Sequence, residues 1–320
     1  MKGNQMSFLV KRLTPFVFAT AASLFAGSSF ALTCTVVDKN STASTATPVT
    51  TFAVASNFYS ATQSLVKEYL TSVSSSSAIR VCHDSSGTLL TEITGTPTYP
   101  YTLFLSADAS RPAALKGTTY VPSGANPFKY ASGIPVLYVA SGTASDYVLT
   151  GQSGSTATAD GMTGVKIDLD SVSKLAIGNI SSAPYGTEAV VILTAMAQWN
   201  NGSYLYNAGA VYSPSTSGSC TLGAGSGKWI CEYNNIDITL SAITAGDASA
   251  GIVSWGQVCS ASSSQYVKFS NYPIEQDGIL LNLSGATDAG KALAAAVVSY
   301  MNLGSSTWNS WLATKCYGAI

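Results

Sequence analysis

Two successive stretches of this chain alternate short apolar runs with helically spaced apolar residues, and this alternation restricts the fold more than any other feature. In the first stretch, residues 51–55 read as a short buried strand, after which Phe58, Ala61, Leu65 and Tyr69 recur at helical spacing. A second strand over 78–82 leads through Ser85-Ser86-Gly87-Thr88 into a short helix ending at Ile93, and 103–106 reads as a third strand. The pattern restarts after Pro127, with strands over 134–140, 175–177 and 251–254. Its helices fall at 184–199, with Pro184 in the first turn, and at 236–245, closed by Gly246. A strand over 279–283 returns to the first half, and closing helices follow over 289–301 and 308–314. This order predicts an α/β protein of mainly parallel sheets flanked by helices. Two lobes joined by two crossing strands are expected, one from 49–129 with 272–320 and the other from 130–271. The Gly/Ser-rich stretches 141–164 and 213–227 read as surface insertions, and the Ser/Thr-rich 32–48 as a leader ahead of the ordered fold.

Composition narrows the function. Of the 320 residues 46% are apolar and only 10% charged, the reverse of a disordered chain. Lys2, Lys11 and Arg12 lie before residue 32, which leaves 12 basic against 16 acidic residues downstream. No dense basic stripe exists to displace counterions from a duplex, so nucleic acid is not an expected partner.

The first thirty-one residues read as an export signal. Lys11 and Arg12 precede an apolar run over 13–26, and Ser29-Phe30-Ala31 presents small residues where a signal peptidase reads, so cleavage is expected before Leu32 and the mature protein in the periplasm. The run is shorter than the roughly 20 apolar residues that a membrane span needs. All six cysteines follow the cut, as suits an oxidising compartment. Cys220 and Cys231 flank a Gly-rich loop and are expected to pair, while Cys34, Cys82, Cys259 and Cys316 leave three pairings open. His83 is the sole histidine and no C-x-x-C occurs, so no zinc site is expected.

Four strand-to-helix junctions share one composition: Ser56-Asn57, Ser85-Ser86-Gly87-Thr88, Ala183-Pro184-Tyr185-Gly186 and Asn234-Asn235-Ile236. Each places hydroxyl, amide or glycine residues at a helix start, where unpaired N–H groups and the positive end of the macrodipole suit an anion. Ordinary capping explains any one of them. Four, two per lobe, point to a shared anion site. None has Lys or Arg in its turn, and neutral donors alone suit a fully ionised oxyanion better than one that carries a proton. Asp84 reads as a solvated loop acid and His83 as a loop residue near a cleft; turned inward, Asp84 would accept a ligand proton. Trp255 and Tyr185 read as core aromatics, although a tyrosine hydroxyl at a helix start can also face a ligand.

Enzymatic readings find little support. Ser171-Val172-Ser173-Lys174 matches S-x-x-K, yet no S-D-N follows, and no G-x-S-x-G, P-loop or dinucleotide fingerprint is present. A triad would need His83 with its sequence neighbours Asp84 and Ser85, which rarely line up. The protein is not expected to be an enzyme.

From about residue 50 to 318 the chain resembles the molybdate-binding periplasmic proteins of ABC transporters. The resemblance runs through Ala53-Val54-Ala55-Ser56-Asn57-Phe58, Ser85-Ser86-Gly87-Thr88-Leu89 and Phe104-Leu105-Ser106-Ala107-Asp108. It continues through Ala176-Ile177-Gly178-Asn179, Ala183-Pro184-Tyr185-Gly186, Gly251-Ile252-Val253, Tyr272-Pro273-Ile274 and Tyr317-Gly318 in the same order. It implies a two-lobed type II binding protein that closes on a tetrahedral oxyanion, molybdate or tungstate, with no cofactor. The ligands implied are Ser56, Asn57, Ser86, Tyr185 and the backbone of Ile236; Asp84 and Ser254 are candidates, from their own positions, for a layer behind them. The implied partner is an inner-membrane ABC permease, and the implied state is a monomer. Two departures stand out: Ser254 follows G-I-V where many members have tyrosine, and His83-Asp84 precedes the serines.

Two other functions fit the same residues. The pocket could take sulfate or phosphate, or the fold could serve as a surface or matrix interaction protein that uses its Gly/Ser insertions for contact. The scant charge also suits a chain that folds in acid, since fixed like charges repel.

Overall fold

The computed structural model describes residues 32–168, 171–172, 174–200, 203–204, 210–214 and 228–320. The expected export segment, most of the 213–227 insertion and Cys220 lie outside the described residues. Among the described residues no helix is long and apolar enough to cross a membrane.

Two six-stranded sheets form the framework. The first runs in the order Thr33–Val37, Ile79–Asp84, Thr50–Ala55, Tyr101–Leu105, Ile274–Leu280 and Phe128–Gly133. The second runs Ala210–Pro214, Lys228–Tyr233, Lys174–Gly178, Ala250–Ser254, Pro135–Tyr138 and Tyr266–Lys268. The chain passes between them twice, at Ile134 and over 269–273. The first sheet is parallel at its centre with antiparallel pairs on either side, and the second is parallel from Ala210–Pro214 to Ala250–Ser254 and antiparallel beyond, so the α/β fold with helix-flanked sheets holds, with more antiparallel pairing than the alternation predicts. No α-helix separates Thr33–Val37, Pro135–Tyr138 or Ile274–Leu280 from a neighbouring strand in the chain, which is why the strand-helix-strand pattern does not show their antiparallel direction.

The helices are α1 (Tyr59–Ser72), α2 (Ser86–Thr94), α3 (Ser110–Leu115), α4 (Pro184–Ala195), α5 (Ile236–Thr244), α6 (Asp288–Met301) and α7 (Ser306–Thr314). In α1 the buried residues Ala61, Leu65, Tyr69 and their neighbours Thr62, Val66 and Leu70 make one face against the first sheet. That face meets Phe52, Val54, Val81 and Leu103 from the strands, with Val297, Trp308 and Leu312 closing the layer. The other face of the sheet carries Ala53, Cys82, Phe104 and Ile279 against Leu89 and Ile93 of α2. The second sheet buries Leu175, Ile177, Ile230 and Ile252 under α4, and Ala176, Tyr233 and Val253 under α5.

Several expectations change. Residues 33–37 are an antiparallel edge strand beside Ile79–Asp84, not a leader outside the fold, and the Cys34–Cys82 disulfide spans that pair. A Ser/Thr-rich composition hid the β-branched run Thr33, Thr35, Val36 and Val37 that favours a strand. The Phe128–Gly133 strand, which the expected lobe boundary cuts after residue 129, pairs with Ile274–Leu280 in the first sheet. The 141–164 insertion is not confined to the surface, because Ala144, Ala157 and Ala159 are buried in the second core. Helix α4 stops at Ala195, and Ala197 takes a left-handed φ of 52° that breaks the run to 199. Beyond that turn Gln198 is buried and brackets the Ile167 peptide, accepting from its N–H at 3.1 Å and donating to its carbonyl at 2.8 Å.

The remaining described disulfide joins Cys259, in the segment after the Ala250–Ser254 strand, to Cys316 after α7. It ties the second half covalently to the C-terminal segment that packs on the first. Cys231 is itself disulfide-bonded, and Cys220, its expected partner, is among the residues not described.

Candidate functional site

All four junctions reach one cavity between the sheets. It is lined by Ser56 and Asn57, by Asp84, Ser85 and Ser86, by Ala183, Pro184 and Tyr185, and by Ile236, with Ala55 and Ala107 beside them. These residues sit where parallel strands end and helices begin, the usual place for ligands in open α/β sheets. Among the described residues no Lys or Arg lines the cavity. The space open inside it is about 10 Å³, roughly that of one water, so a tetrahedral ion enters only if the surrounding turns move apart.

Local chemistry shapes each helix start. Ser85 caps α2, its Oγ accepting from the Thr88 N–H at 3.2 Å. Asn235 caps α5, its Oδ1 accepting from the N–H groups of Asp237 and Ile238, both at 3.0 Å. Pro184 opens α4, where its missing N–H costs nothing, and Ser56-Asn57-Phe58 forms a 3-10 turn that leads into α1.

The hydroxyls at these starts are held by neighbours in a consistent sense. Ser86 Oγ accepts from the Ala107 N–H at 2.9 Å. Tyr185 Oη accepts from Ser254 Oγ at 2.8 Å and from Gln276 Nε2 at 3.3 Å. His83 Nδ1 lies 3.0 Å from Asp237 Oδ2 and 3.1 Å from Ser56 Oγ. A carboxylate only accepts, so the bond to Asp237 places the proton on Nδ1, and Ser56 Oγ then accepts from the ring as well. In all three cases the hydroxyl hydrogen remains free to donate. Burial holds the Tyr185 phenol above its ordinary range, so it stays a neutral donor.

Gln276 organises the rear of the site and is invisible to motif reading. It is fully buried, and its Oε1 accepts from Asn57 Nδ2 and from Tyr130 Oη, both at 3.1 Å. Gly133 lets this cluster close, because a Cβ there would overlap Tyr185 Oη and Gln276 Nε2. A signal for Gln276 existed: it occupies an inward position in the alternation of its strand, where a polar residue needs a partner. The Tyr317 hydroxyl donates to the Asn57 carbonyl and braces the first turn from the C-terminal segment.

Asp84 and His83 depart from expectation. Neither is a loop residue: both end the Ile79–Asp84 strand and are buried, Asp84 at 7% exposure. Asp84 lines the cavity, where its Oδ1 accepts from the Ser85 N–H at 2.6 Å and from Asn235 Nδ2 at 3.0 Å. Burial pushes its carboxyl above the usual range, against the pull of these two donors. The lining is therefore not composed of neutral donors alone. Ser254 stands behind Tyr185 and does not line the cavity. Trp255 lies outside it as well, with Lys268 Nζ 4.2 Å above its ring. Among the described residues no group of His, Cys, Asp and Glu could hold a metal ion.

The halves meet across this cleft at several points. The Gly87 N–H donates to the Ser182 carbonyl at 2.8 Å and Arg111 donates to the Ser181 carbonyl at 3.1 Å, alongside the Asn235–Asp84 and His83–Asp237 contacts. At Gly87 the approach is so close that a Cβ would sit 2.8 Å from Ser182 Cα.

Buried carboxyls give the protein a specific pH response. Asp84, Glu188, Glu232 and Asp277 are all raised, in each case chiefly by burial. A folded-state value above the unfolded one means that the folded protein binds more protons, so stability is greatest below the ordinary carboxylate range and declines as pH rises through the raised values. Asp38, at the surface, is shifted the other way by hydrogen bonds from Ser44, Asn40 and Ser41. The melting temperature is expected to rise on going from about pH 7 to about pH 5. A fall over that interval, followed by scanning calorimetry, would contradict this.

Comparison with known proteins agrees with the fold. A model described as bacterial extracellular solute-binding protein matches residues 50–302. The periplasmic molybdate-binding protein of Azotobacter vinelandii superimposes with a TM-score of 0.59 at 21% identity, covering 85% of this chain and 99% of that one. The substrate-binding domain assigned to a molybdenum ABC transporter of Clostridium difficile gives a TM-score of 0.47 at 17% identity, covering 85% and 98%. Peb3 from Campylobacter jejuni gives 0.46 at 9% identity, covering 85% and 100%. A search of curated protein sequences finds no match. At 21% identity the likeness to the Azotobacter protein is one of fold, while the family match spans most of the chain: this protein belongs to the bacterial extracellular solute-binding proteins.

Proposed function

We propose that this protein captures a tetrahedral oxyanion of the molybdate or tungstate class in the cavity between its sheets and delivers it, in the periplasm, to an inner-membrane ABC permease, without catalysing a reaction. The observation that carries this reading is the sense of the hydrogen bonds. Ser56, Ser86 and Tyr185 each accept from fixed neighbours, which leaves their hydroxyl hydrogens available to an ion in the one small cavity they line. Helix starts around the same space add partial positive charge. Closure around the ion would replace its water with these preorganised dipoles.

Thermal shift and calorimetry with molybdate, tungstate, sulfate and phosphate test it. A ligand at a hundred times its Kd stabilises a folded protein by about 2.7 kcal/mol, and a flat response to all four ions would overturn the proposal. Tyr185→Phe and Ser86→Ala should each weaken binding by about tenfold to a hundredfold, the usual worth of one hydrogen bond to a charged group. A variant that binds like the wild type would remove that residue from the site.

Asp84 favours a second reading within the same class. An acceptor in the lining suits a hydrogen-bearing oxyanion such as phosphate, and competition between phosphate and molybdate at several pH values separates the two.

A further inference from the structure

The unexplained group in this cavity is the Asp84 carboxyl. It is more than nine-tenths buried, it lines the same space as the donor hydroxyls, and both hydrogen bonds described for it end on Oδ1. An ionised carboxylate and a fully ionised oxyanion are both acceptors only, and in a small water-poor cavity neither could satisfy the other. One proton between them converts that repulsion into a charge-assisted hydrogen bond.

Resting on the oxyanion reading above, we propose that the cavity binds its oxyanion together with a single proton held between Asp84 Oδ2 and a ligand oxygen. The proton can come from either side. A hydrogen-bearing dianion, such as hydrogen phosphate or hydrogen arsenate, brings its own. A proton-free dianion such as molybdate, tungstate or sulfate requires Asp84 to take one from solvent. The site thus selects for total proton count as well as shape, and admits both kinds of ion under different pH laws.

The surroundings of Asp84 support the assignment. Its carboxyl is already raised by burial before any anion arrives, and an incoming negative charge raises it further. The charged and titratable groups around it are His83, which precedes it on the strand, and Asp237 in the first turn of α5. Tyr185 faces it from the other half as a neutral phenol. His83 is engaged with Asp237 and Ser56, so the carboxyl facing the cavity is the group placed to share a proton with the ligand.

Calorimetry on the whole mature protein decides it. Molybdate titrations at about pH 8, in buffers of different ionisation enthalpy, should show uptake of about one proton per ion bound, whereas hydrogen phosphate should show almost none. Molybdate affinity should fall about tenfold for each pH unit on the alkaline side. Asp84→Asn should abolish the uptake and flatten the slope, while His83→Gln should leave the uptake in place. Molybdate binding by the wild type with no proton uptake and no pH slope would overturn the shared proton while leaving the oxyanion reading intact. Uptake that survives Asp84→Asn and vanishes in His83→Gln would transfer the proton to the histidine and equally overturn it. Failure of every oxyanion to bind the wild type would sink the parent reading, a distinguishable result. The wild-type titrations alone decide the matter should Asp84→Asn not fold.

Discussion

Replacing Gly186 by alanine is expected to destabilise the protein by about 3 kcal/mol, the upper part of the range for forcing an atom into a close-packed site. A Cβ at this position would overlap the carbonyl oxygens of Gly178 and Asn179. Those are backbone atoms at the end of a central strand of the second sheet, so no side-chain rotation relieves the clash. Relief requires α4 to lift from the strand. That movement would also carry Tyr185, the preceding residue, away from Ser254 and Gln276, so oxyanion affinity should fall with stability. Urea unfolding measures the first effect and calorimetry the second. A variant within about 1 kcal/mol of the wild type would show that the helix start is free to shift, contrary to the packing described.

A comparable loss is expected from removing the Cys259–Cys316 disulfide with paired serine substitutions. The two residues are 57 positions apart, and closing a loop of that length lowers the entropy of the unfolded chain by an amount worth about 4 kcal/mol. The bond also sits where the halves of the molecule meet. Beside Cys316, Tyr317 reaches Asn57 in the first turn and approaches Gly256 so closely that a Cβ there would overlap its ring. The urea midpoint of the variant should drop well below that of the oxidised wild type. A change under about 1 kcal/mol would mean that the noncovalent contacts around Tyr317 hold the segment unaided.

The sequence expectations divide along a physical line. Helix starts are local: the residues that cap α2 and α5 lie within three positions of the N–H groups they satisfy, and Pro184 acts at its own position. Reading Ser85, Asn235 and Pro184 as helix starts needed no knowledge of the rest of the chain. Helical periodicity located α1 for the same reason, whereas edge strands, whose partners lie far away in sequence, were harder to read. Residues 33–37 look like a polar leader until they are seen beside Ile79–Asp84.

Asp84 marks the limit of that reading. A carboxylate between His and Ser has no local reason to be buried, and its partner Asn235 lies 151 positions away in the other half. Gln276 is 219 positions from the Asn57 amide it accepts from, and the expected role of Ser254 became specific only when its hydroxyl met Tyr185.

What the sequence by itself determined is the set of neutral donors: four polar turns without Lys or Arg, each placed at the start of a helix by short-range backbone chemistry. What only the tertiary structure decided is their convergence on one cavity, the two described disulfides, and the inward turn of the carboxyl that shares that space. The reason is that capping is settled within one helical turn, whereas the burial of a charge depends on which distant groups arrive to solvate it.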